Sequence, residues 1–304
     1  MTIKVLVCDP IQVELLRLGD GYEVDYRPEI GRDELLASVS SYQVLIVRSR
    51  TKVDGEVLDA ATSLRLIVRP GTGLDNVDVD RAKSKGVTVF NSPESLVEAV
   101  AEHVTLLMLA LSRKLVEADE ATLAGEWTKQ KLMGSELKGK TLGIVGLGRI
   151  GRRIGEIASV LGMSILAYDV IPIPTEVLRS MGGSVSDLEG VFGDSDYVTL
   201  HVPLTSETKH LVDSARIASM KRTAFIINTS RGGVVDERAL AEALRTGVIA
   251  GAGLDVFEEE PPSGPILSAP NVILTPHIAG QTIEAQESAV SAIGDKVRAF
   301  FLTS

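Results

Sequence analysis

The sequence predicts an α/β protein made of two doubly wound parallel-sheet domains. Short apolar strands alternate with helical stretches along most of the 304 residues, and this alternation is typical of parallel sheets covered on both faces. A glycine-rich turn follows one apolar strand near the middle of the chain, at residues 146–151. The length suits two domains of ordinary size.

Composition argues against several classes of protein. The formal net charge of −10 disfavours nucleic acid and anionic membranes as partners. The single cysteine, Cys8, lies in an apolar strand and is interpreted as a small core residue, which suits a reducing compartment. No secretory signal and no uncharged apolar span of 18 residues occurs, so we expect a soluble cytoplasmic protein. No pair of histidines or cysteines has metal-ligand spacing, so no metal is expected.

The first part of the chain is predicted to be a small α/β domain. Its strands are expected at residues 3–8, 22–26, 44–47, 64–68 and 87–90, with helices at 33–38 and 55–61. Pro93 then opens a long helix to about Ser112, and the middle of this helix is apolar nearly all round. Such a helix is buried on several sides, either in a core or at a subunit interface. We favour an interface combined with interdomain packing.

The second part of the chain contains the glycine turn. Strand 141–145 runs into Gly146, Gly148 and Gly151, the G-x-G-x-x-G spacing that places a nucleotide pyrophosphate on a helix N-terminus. The next strand ends on Asp169, 18 positions after Gly151. A carboxylate there accepts hydrogen bonds from the ribose hydroxyls of NAD and disfavours the 2′-phosphate of NADP. The alternative is a solvated aspartate at a strand end.

Further strands in this part imply a discontinuous domain arrangement. They are predicted at residues 197–200, 224–228, 251–254 and 272–274, with helices near 187–193, 213–220 and 236–245. No further strand follows the last helix, 282–301, so we expect this helix to cross back to the first domain. The predicted domains are therefore 1–92 with 281–304, and 93–280, with a ligand cleft at the carboxyl ends of their strands.

Three arginines directly follow two strands of the first domain. They are Arg48, Arg50 and Arg69, the last of which opens a glycine turn. Arginine side chains and exposed N–H groups suit a carboxylate or a phosphate, so the sequence predicts an anion site. The alternative is that these arginines form surface ion pairs with Asp54 or Asp75.

Three strand ends of the second domain have the residue types that carbonyl reduction requires. Arg231 follows one strand, an acidic segment at 255–260 follows another, and His277 follows a third. A cation holds the substrate carboxylate, an acid delivers a proton to the carbonyl oxygen, and a carboxylate keeps that acid protonated near neutral pH. The alternative for His277 is a structural role.

The other three histidines are interpreted differently. His103 lies on the long apolar helix and His210 in a polar loop, so both are expected to be structural. His201 precedes a turn and is a candidate for the cofactor pocket.

Four stretches resemble the NAD-dependent D-2-hydroxyacid dehydrogenases over essentially the whole chain. They are VGLGRIG, HVPLTSET, NTSRGGVVDE, and GLDVFEEEPP with the later TPHIAG. The resemblance implies a Rossmann nucleotide-binding domain, a flavodoxin-like substrate domain and a cleft between them. It assigns substrate binding to Arg231, proton transfer to His277 and stabilisation of the imidazolium to Glu260.

The resemblance also implies which residues contact NAD and the substrate. The cofactor-binding residues are Thr72, Gly146, Gly148, Arg149, Ile150, Gly151, Asp169, His201, Val202, Pro203, Thr208, Thr229, Ser230, Asp255, Ala279 and Gly280. Within this set, Asp255 holds the nicotinamide carboxamide. The substrate-binding residues are Arg48, Ser49, Arg50, Arg69, Gly71 and Arg231.

Within this family, VRSRTKVD, GTGLDNVD and KLMGSELKGKTLGIVGLGRIG look like the D-3-phosphoglycerate dehydrogenases. This likeness implies NAD-dependent oxidation of D-3-phosphoglycerate to 3-phosphohydroxypyruvate, the first step of phosphorylated serine biosynthesis. Arg48 and Arg50 would then clamp the phosphate. Leu96 departs from the asparagine or serine of many relatives, and where the family has Gly-Ala-Ser after the histidine this chain has Ala279-Gly280-Gln281, displaced by one position. The printed chain ends at Ser304, so the serine-binding domain of longer relatives is not expected.

The same resemblance leaves two other functions open. One is a glyoxylate or hydroxypyruvate reductase, which needs no phosphate clamp. The other is an NAD-responsive transcriptional corepressor on the same fold, which the acidic composition disfavours. The expected partners are a small phosphorylated 2-hydroxy or 2-keto acid and a second copy of the chain in a homodimer or tetramer.

Overall fold

A computed structural model describes residues 2–302 and divides them into two compact units. The first unit takes residues 2–97 and 280–302, and the second takes residues 98–279. The predicted division into two domains, with boundaries near residues 92 and 281, remains a proposal.

Twelve strands and eleven α-helices occur within the described residues. The strands are β1 (Ile3–Val7), β2 (Tyr22–Tyr26), β3 (Val44–Ile46), β4 (Leu66–Arg69), β5 (Thr88–Asn91), β6 (Thr141–Val145), β7 (Ser164–Tyr168), β8 (Gly183–Val185), β9 (Tyr197–Leu200), β10 (Phe225–Asn228), β11 (Gly251–Leu254) and β12 (Val272–Leu274). The helices are α1 (Arg32–Ser38), α2 (Gly55–Ala60), α3 (Val79–Ser84), α4 (Val97–Ser112), α5 (Leu115–Leu123), α6 (Arg149–Val160), α7 (Thr175–Ser180), α8 (Leu188–Asp194), α9 (Ser214–Ser219), α10 (Glu237–Thr246) and α11 (Ile283–Leu302). Short 3-10 turns lie at Val13–Leu16, Val39–Ser41, Pro93–Leu96, Gly232–Val234 and Pro265–Ser268.

The first unit is a five-stranded parallel sheet in the order β2-β1-β3-β4-β5. The strand order reverses between β1 and β3, and such a switch point opens a crevice at the carboxyl ends of the two strands. Helix α11 covers one face of this sheet through Val290, Ile293 and Val297. Its Gly294 permits the approach, because a Cβ there would lie 2.1 Å from the carbonyl oxygen of Leu16.

The second unit is a seven-stranded parallel sheet in the order β12-β11-β10-β9-β6-β7-β8. Its switch point lies between β6 and β9, where the Rossmann arrangement binds dinucleotides. The two parallel sheets confirm the predicted α/β class. Strand β8 and helices α3, α5 and α7 were not expected from the sequence.

The long apolar helix contributes to the core of the second unit. Ala101, Val104, Leu107 and Met108 of α4 are buried against that sheet. In the described residues, the stretch 93–112 is the one helix long and apolar enough to cross a membrane, and half of its apolar window is buried inside the protein. The core interpretation is therefore right for one face of α4, and the subunit interface remains a prediction for another.

Cys8 follows β1 and is completely buried, as expected for a small core residue. Burial raises the pKa of its thiol to about 12, so the group stays protonated and unreactive.

Candidate active site

The three glycines after β6 meet different steric demands. Gly146 has a φ of +94°, and a Cβ on it would lie 2.5 Å from the carbonyl oxygen of His201. A Cβ on Gly151 would lie 2.3 Å from the Gly146 oxygen, so only glycine lets α6 pack against the turn. A Cβ on Gly148 meets nothing within 4 Å among the described residues. Such open space at a helix N-terminus fits a pyrophosphate.

Asp169 fastens this turn to the end of β7. One carboxylate oxygen accepts a hydrogen bond from Leu147 N at 2.7 Å, and the other accepts from Ile171 N at 2.9 Å. Each carboxylate oxygen can accept a second hydrogen bond, so the group can also take ribose hydroxyls. Arg149, on the first turn of α6, is exposed, and Ile150 next to it is half-buried.

The ends of β9 and β10 line the same edge of the sheet. Nε2 of His201 lies 2.8 Å from Thr199 Oγ1, and burial lowers the pKa of His201 to about 3, so its imidazole is neutral. Val202 and Pro203 continue this segment, where Thr208 donates to the Pro203 carbonyl at 2.5 Å. Within residues 2–302, the buried Oγ1 of Thr229 has no hydrogen-bond partner. This unsatisfied atom is consistent with a polar ligand such as NAD.

Glu260 and His277 form a carboxylate–imidazole pair. Nδ1 of His277 lies 3.0 Å from both carboxylate oxygens of Glu260. About half of each side chain is exposed. Because a carboxylate only accepts, Nδ1 is the donor, and Nε2 is left for proton exchange.

Arg231 is positioned by Asn228 at the end of β10. The Asn228 amide donates to the carbonyl of Arg231 at 2.9 Å, and its oxygen accepts from the backbone and hydroxyl of Ser230. Gly232 comes next, and a Cβ there would lie 1.8 Å from the carbonyl carbon of Phe257. Glycine at 232 thus lets the Arg231 segment pack directly on the segment that leads to Glu260.

Two hydrogen bonds with Glu237 hold the acidic segment 255–260 in place. Glu258 N donates to a carboxylate oxygen of Glu237 at 2.5 Å, and Glu237 N donates back to Glu258 at 3.1 Å. Burial raises the pKa of Glu237. His210 also contacts Glu258 at 3.2 Å, so its predicted structural role is consistent with the geometry.

Asp255 is completely buried and binds the segment around His277. One oxygen accepts from the Thr275 hydroxyl at 2.5 Å and from Ile278 N at 2.8 Å, and the other accepts from Ala279 N at 2.8 Å. The assignment of Asp255 to the nicotinamide carboxamide remains a prediction, because these protein groups already occupy much of the carboxylate.

In the first unit, Asp9 holds the arginine-bearing segment after β3. Its buried carboxylate accepts from Arg48 N at 2.5 Å, from Arg50 Nε at 3.0 Å and from Thr51 Oγ1 at 2.9 Å. Arg50 also donates through its terminal nitrogens to the carbonyls of Cys8, Pro28 and Ile30. The geometry therefore favours a positioning role for Arg50 over the predicted phosphate contact. Asp54 pairs with Arg32 at 2.9 Å, and the alternative pairing of these arginines with Asp75 stays a prediction.

Arg48 instead lines a cavity of about 280 Å³ in the first unit. The other lining residues are Pro10, Ile11, Gln12, Tyr26, Gln286 and Val290. The cavity lies where the segments after β1 and β3 meet, at the switch point of this sheet. Burial lowers the pKa of Arg48, so an anion would compensate a partly desolvated cation.

The remaining predicted residues of this unit surround the turn after β4. Arg69 Nε donates to Asn76 at 3.1 Å, and Gly71, with a φ of +128°, donates its N–H to Ser92. The buried Oγ1 of Thr72 has no hydrogen-bond partner in residues 2–302. The exposed Ser49 follows Arg48 in sequence.

Comparison with known proteins identifies the family. Residues 105–279 match the model of the D-isomer specific 2-hydroxyacid dehydrogenase NAD binding domain, which is more than half of the chain. The chain belongs to the D-isomer specific 2-hydroxyacid dehydrogenase family. The glycine turn and the strand ends that surround it are therefore the NAD-binding part of a 2-hydroxyacid dehydrogenase fold.

Two curated relatives of this family differ in name and length. The chain is 43% identical over 299 residues to a D-3-phosphoglycerate dehydrogenase of Methanocaldococcus jannaschii, covering 97% of this chain and 57% of the relative. It is 41% identical over 300 residues to a hydroxypyruvate reductase of Thermotoga maritima, covering 97% of each. The chain thus spans little more than half the length of the first of these dehydrogenases.

A solved structure of the family has the same fold. A glyoxylate reductase from Paecilomyes thermophila superposes with a TM-score of 0.90 at 30% identity, covering 98% of this chain and 95% of that one.

Several residues that organise the site were not predicted from the sequence. They are Asp9, Asn76, Asn228, Thr275 and Gln286. Most of them act on backbone groups or side chains distant in sequence, so no local motif marks them. A buried polar residue at a strand end, as at Asn228, is the one signal that the sequence offers.

Proposed function

We propose that this chain is an NAD-dependent dehydrogenase that oxidises D-3-phosphoglycerate to 3-phosphohydroxypyruvate. The pair formed by His277 Nδ1 and the Glu260 carboxylate at 3.0 Å carries the proposal, because it supplies an oriented general base. The name of the M. jannaschii relative supports the choice of substrate.

In the proposed mechanism, Arg231 holds the substrate carboxylate as an ion pair. Nε2 of His277 takes the proton of the 2-hydroxyl group, while the C2–H bond breaks and its electron pair leaves with the hydrogen. Glu260 then stabilises the imidazolium, because its carboxylate already accepts the Nδ1 proton. NAD, when bound, accepts the hydride. In reduction, His277 returns the proton to the carbonyl oxygen.

The residues present fit NAD rather than NADP. Gly148 leaves room for a pyrophosphate, and we assign the Asp169 carboxylate, which lies at the end of β7 and accepts from Leu147 N, to the ribose hydroxyls. A 2′-phosphate would meet the same carboxylate as a like charge, so we propose a preference for NAD.

The substrate phosphate is assigned to Arg48. Its guanidinium is partly desolvated at a cavity that Gln12 and Gln286 also line, and a guanidinium is a donor well suited to phosphate oxygens. The Gln286 amide already donates to the Gly280 carbonyl at 2.8 Å, so Arg48 is the residue assigned to the phosphate. Arg50 is reassigned to positioning this segment through Asp9.

A hydroxypyruvate reductase is the second candidate. The T. maritima relative of that name matches this chain over 97% of both lengths, whereas the D-3-phosphoglycerate dehydrogenase is much longer. The same His277–Glu260 pair serves either reaction, and the phosphate contact separates them. For either function, we propose a soluble, cytoplasmic homo-oligomer.

The acid–base assignment is tested with His277→Gln. This variant should lower kcat by about 10²–10⁴-fold, because it removes the proton acceptor while keeping a polar side chain. His210→Gln is the matched control, since His210 also pairs with a glutamate but lies in another loop. A His277→Gln variant with a near-normal kcat would remove this residue from proton transfer.

A further inference from the structure

A chain of hydrogen bonds connects helix α4 to the segment that carries His277. Nε2 of His103 lies 3.1 Å from Thr275 Oγ1 and 3.6 Å from an oxygen of Asp255. Thr275 Oγ1 lies 2.5 Å from the same Asp255 oxygen. His103 is nearly buried and Asp255 is fully buried, so solvent competes little for these bonds.

The direction of each hydrogen bond follows from the number of protons available. A hydroxyl carries one proton, and a carboxylate only accepts, so Thr275 donates to Asp255. Oγ1 of Thr275 is then the acceptor towards His103, and Nε2 of His103 must carry a hydrogen. The geometry therefore fixes the protonation of one ring nitrogen of His103.

These hydrogen bonds hold the backbone on both sides of His277. Thr275 lies two residues before it, and Asp255 also accepts the N–H groups of Ile278 and Ala279 directly after it. His277 itself has a φ of +55°, in the left-handed region that a non-glycine residue holds only when its surroundings enforce it. The Asp255 carboxylate supplies that constraint.

We propose that His103 is a positioning residue for His277, acting through Thr275 and Asp255. Its Nε2–H donates a hydrogen bond to the Thr275 hydroxyl, and this hydroxyl donates to the Asp255 carboxylate and orients it. The carboxylate in turn holds the backbone that surrounds His277. Loss of the donor would let the 275–279 segment relax and move the imidazole away from its working position. The inference rests on the proposed role of His277 and adds a residue that touches neither substrate nor cofactor.

The first test needs no turnover. Nitrogen-15 NMR of the imidazole rings distinguishes the two tautomers, and we expect His103 of the ligand-free protein to be protonated on Nε2. A neutral His103 protonated on Nδ1, with a bare Nε2, would overturn the proposal. Because this measurement uses no substrate, its result is separable from failure of the proposed dehydrogenase function.

The second test compares variants that keep or remove each polar group. His103→Gln retains an N–H donor at the end of the side chain, and His103→Leu removes it. Thr275→Ser retains the hydroxyl, and Thr275→Val replaces it with a methyl of similar size. We expect the Leu and Val variants to lower kcat by about 10- to 100-fold, since a small displacement of a catalytic group has that effect. The Gln and Ser variants should keep most of the activity.

The readouts separate positioning from a general loss of structure. KM for the keto acid should change by less than about threefold, because the proposed substrate-binding residues Arg48 and Arg231 lie on other segments, so the loss falls on kcat. Thr105→Val is the matched control, since Thr105 is also on α4 but donates only to the carbonyl of Ala101 in its own helix. Equal losses for His103→Gln and His103→Leu, or a normal kcat for Thr275→Val, would show that these residues only pack. Thr275→Val decides the question if His103→Leu does not fold.

Discussion

At the scale of single residues, His201 links burial to acid sensitivity. Burial lowers its pKa to about 3 from an ordinary value of 6.5, so between these values the unfolded chain binds a proton that the folded chain excludes. The contribution of His201 to the free energy of unfolding is therefore fully present above pH 6.5 and is lost progressively as the pH falls towards 3. At pH 5 the loss is at most about 2 kcal/mol, at roughly 1.4 kcal/mol per pH unit.

This pH dependence is measured by urea unfolding at pH 7.5 and pH 5. The protein should lose more stability on acidification than His201→Gln, which keeps a neutral polar side chain and does not titrate. An identical loss in both proteins would contradict the assignment of a neutral imidazole to His201 at pH 5. Comparing the two removes the contribution of the carboxylates, which both proteins share.

At the scale of elements, the turn after β10 depends on Gly232. A Cβ at this position would lie 1.8 Å from the backbone of Phe257, so Gly232→Ala must displace one of two backbone segments. We expect a loss of more than about 2 kcal/mol of folding stability, together with loss of activity, because the Arg231 and Glu260 segments separate.

Gly148→Ala is the contrasting variant at the other glycine turn. A Cβ there meets nothing within 4 Å in the described residues, so stability should change by less than about 0.5 kcal/mol. Its effect should fall on NADH affinity, because the methyl group fills the proposed pyrophosphate site. Thermal unfolding and NADH titration of both variants separate these effects, and equal destabilisation by the two would contradict the steric argument.

The same scale shows what could be predicted from the sequence. Strand β6, its glycine turn and most strands of both sheets were predicted, because continuous apolar runs are local signals. Strand β8 was not predicted, because Val185 is the one apolar side chain in Gly183–Val185 and gives no apolar run. Arg231 and His277 were predicted as site residues from their places after strands. The positioning roles of Asn228 and Thr275 were not predicted, because their contacts depend on how separate strand ends meet.

The long helix illustrates the limit of periodicity. Its apolar sequence predicted burial on several sides, but could not say which face enters the core and which meets another subunit. Leu107 and Met108 are buried, whereas Leu106 and Leu109 are 52% and 42% exposed.

At the scale of the whole molecule, exposed apolar residues support the proposed oligomer. Leu106 and Leu109 of α4 and Leu115 and Val116 of α5 remain exposed, and large exposed apolar patches commonly mark an interface. Light scattering should give the mass of a dimer or tetramer, and Leu106→Glu should lower it. Leu267→Glu, which alters an equally exposed leucine elsewhere, is the control. A stable and active monomer would contradict the proposal.

The substrate assignment is tested most directly by NADH oxidation with 3-phosphohydroxypyruvate, hydroxypyruvate and glyoxylate side by side. We predict a kcat/KM at least about tenfold higher for the phosphorylated acid, which corresponds to about 1.4 kcal/mol of phosphate recognition. Arg48→Gln should remove this preference while leaving the unphosphorylated acids nearly unaffected. Equal or higher kcat/KM for hydroxypyruvate or glyoxylate would contradict the phosphoglycerate assignment and favour the reductase.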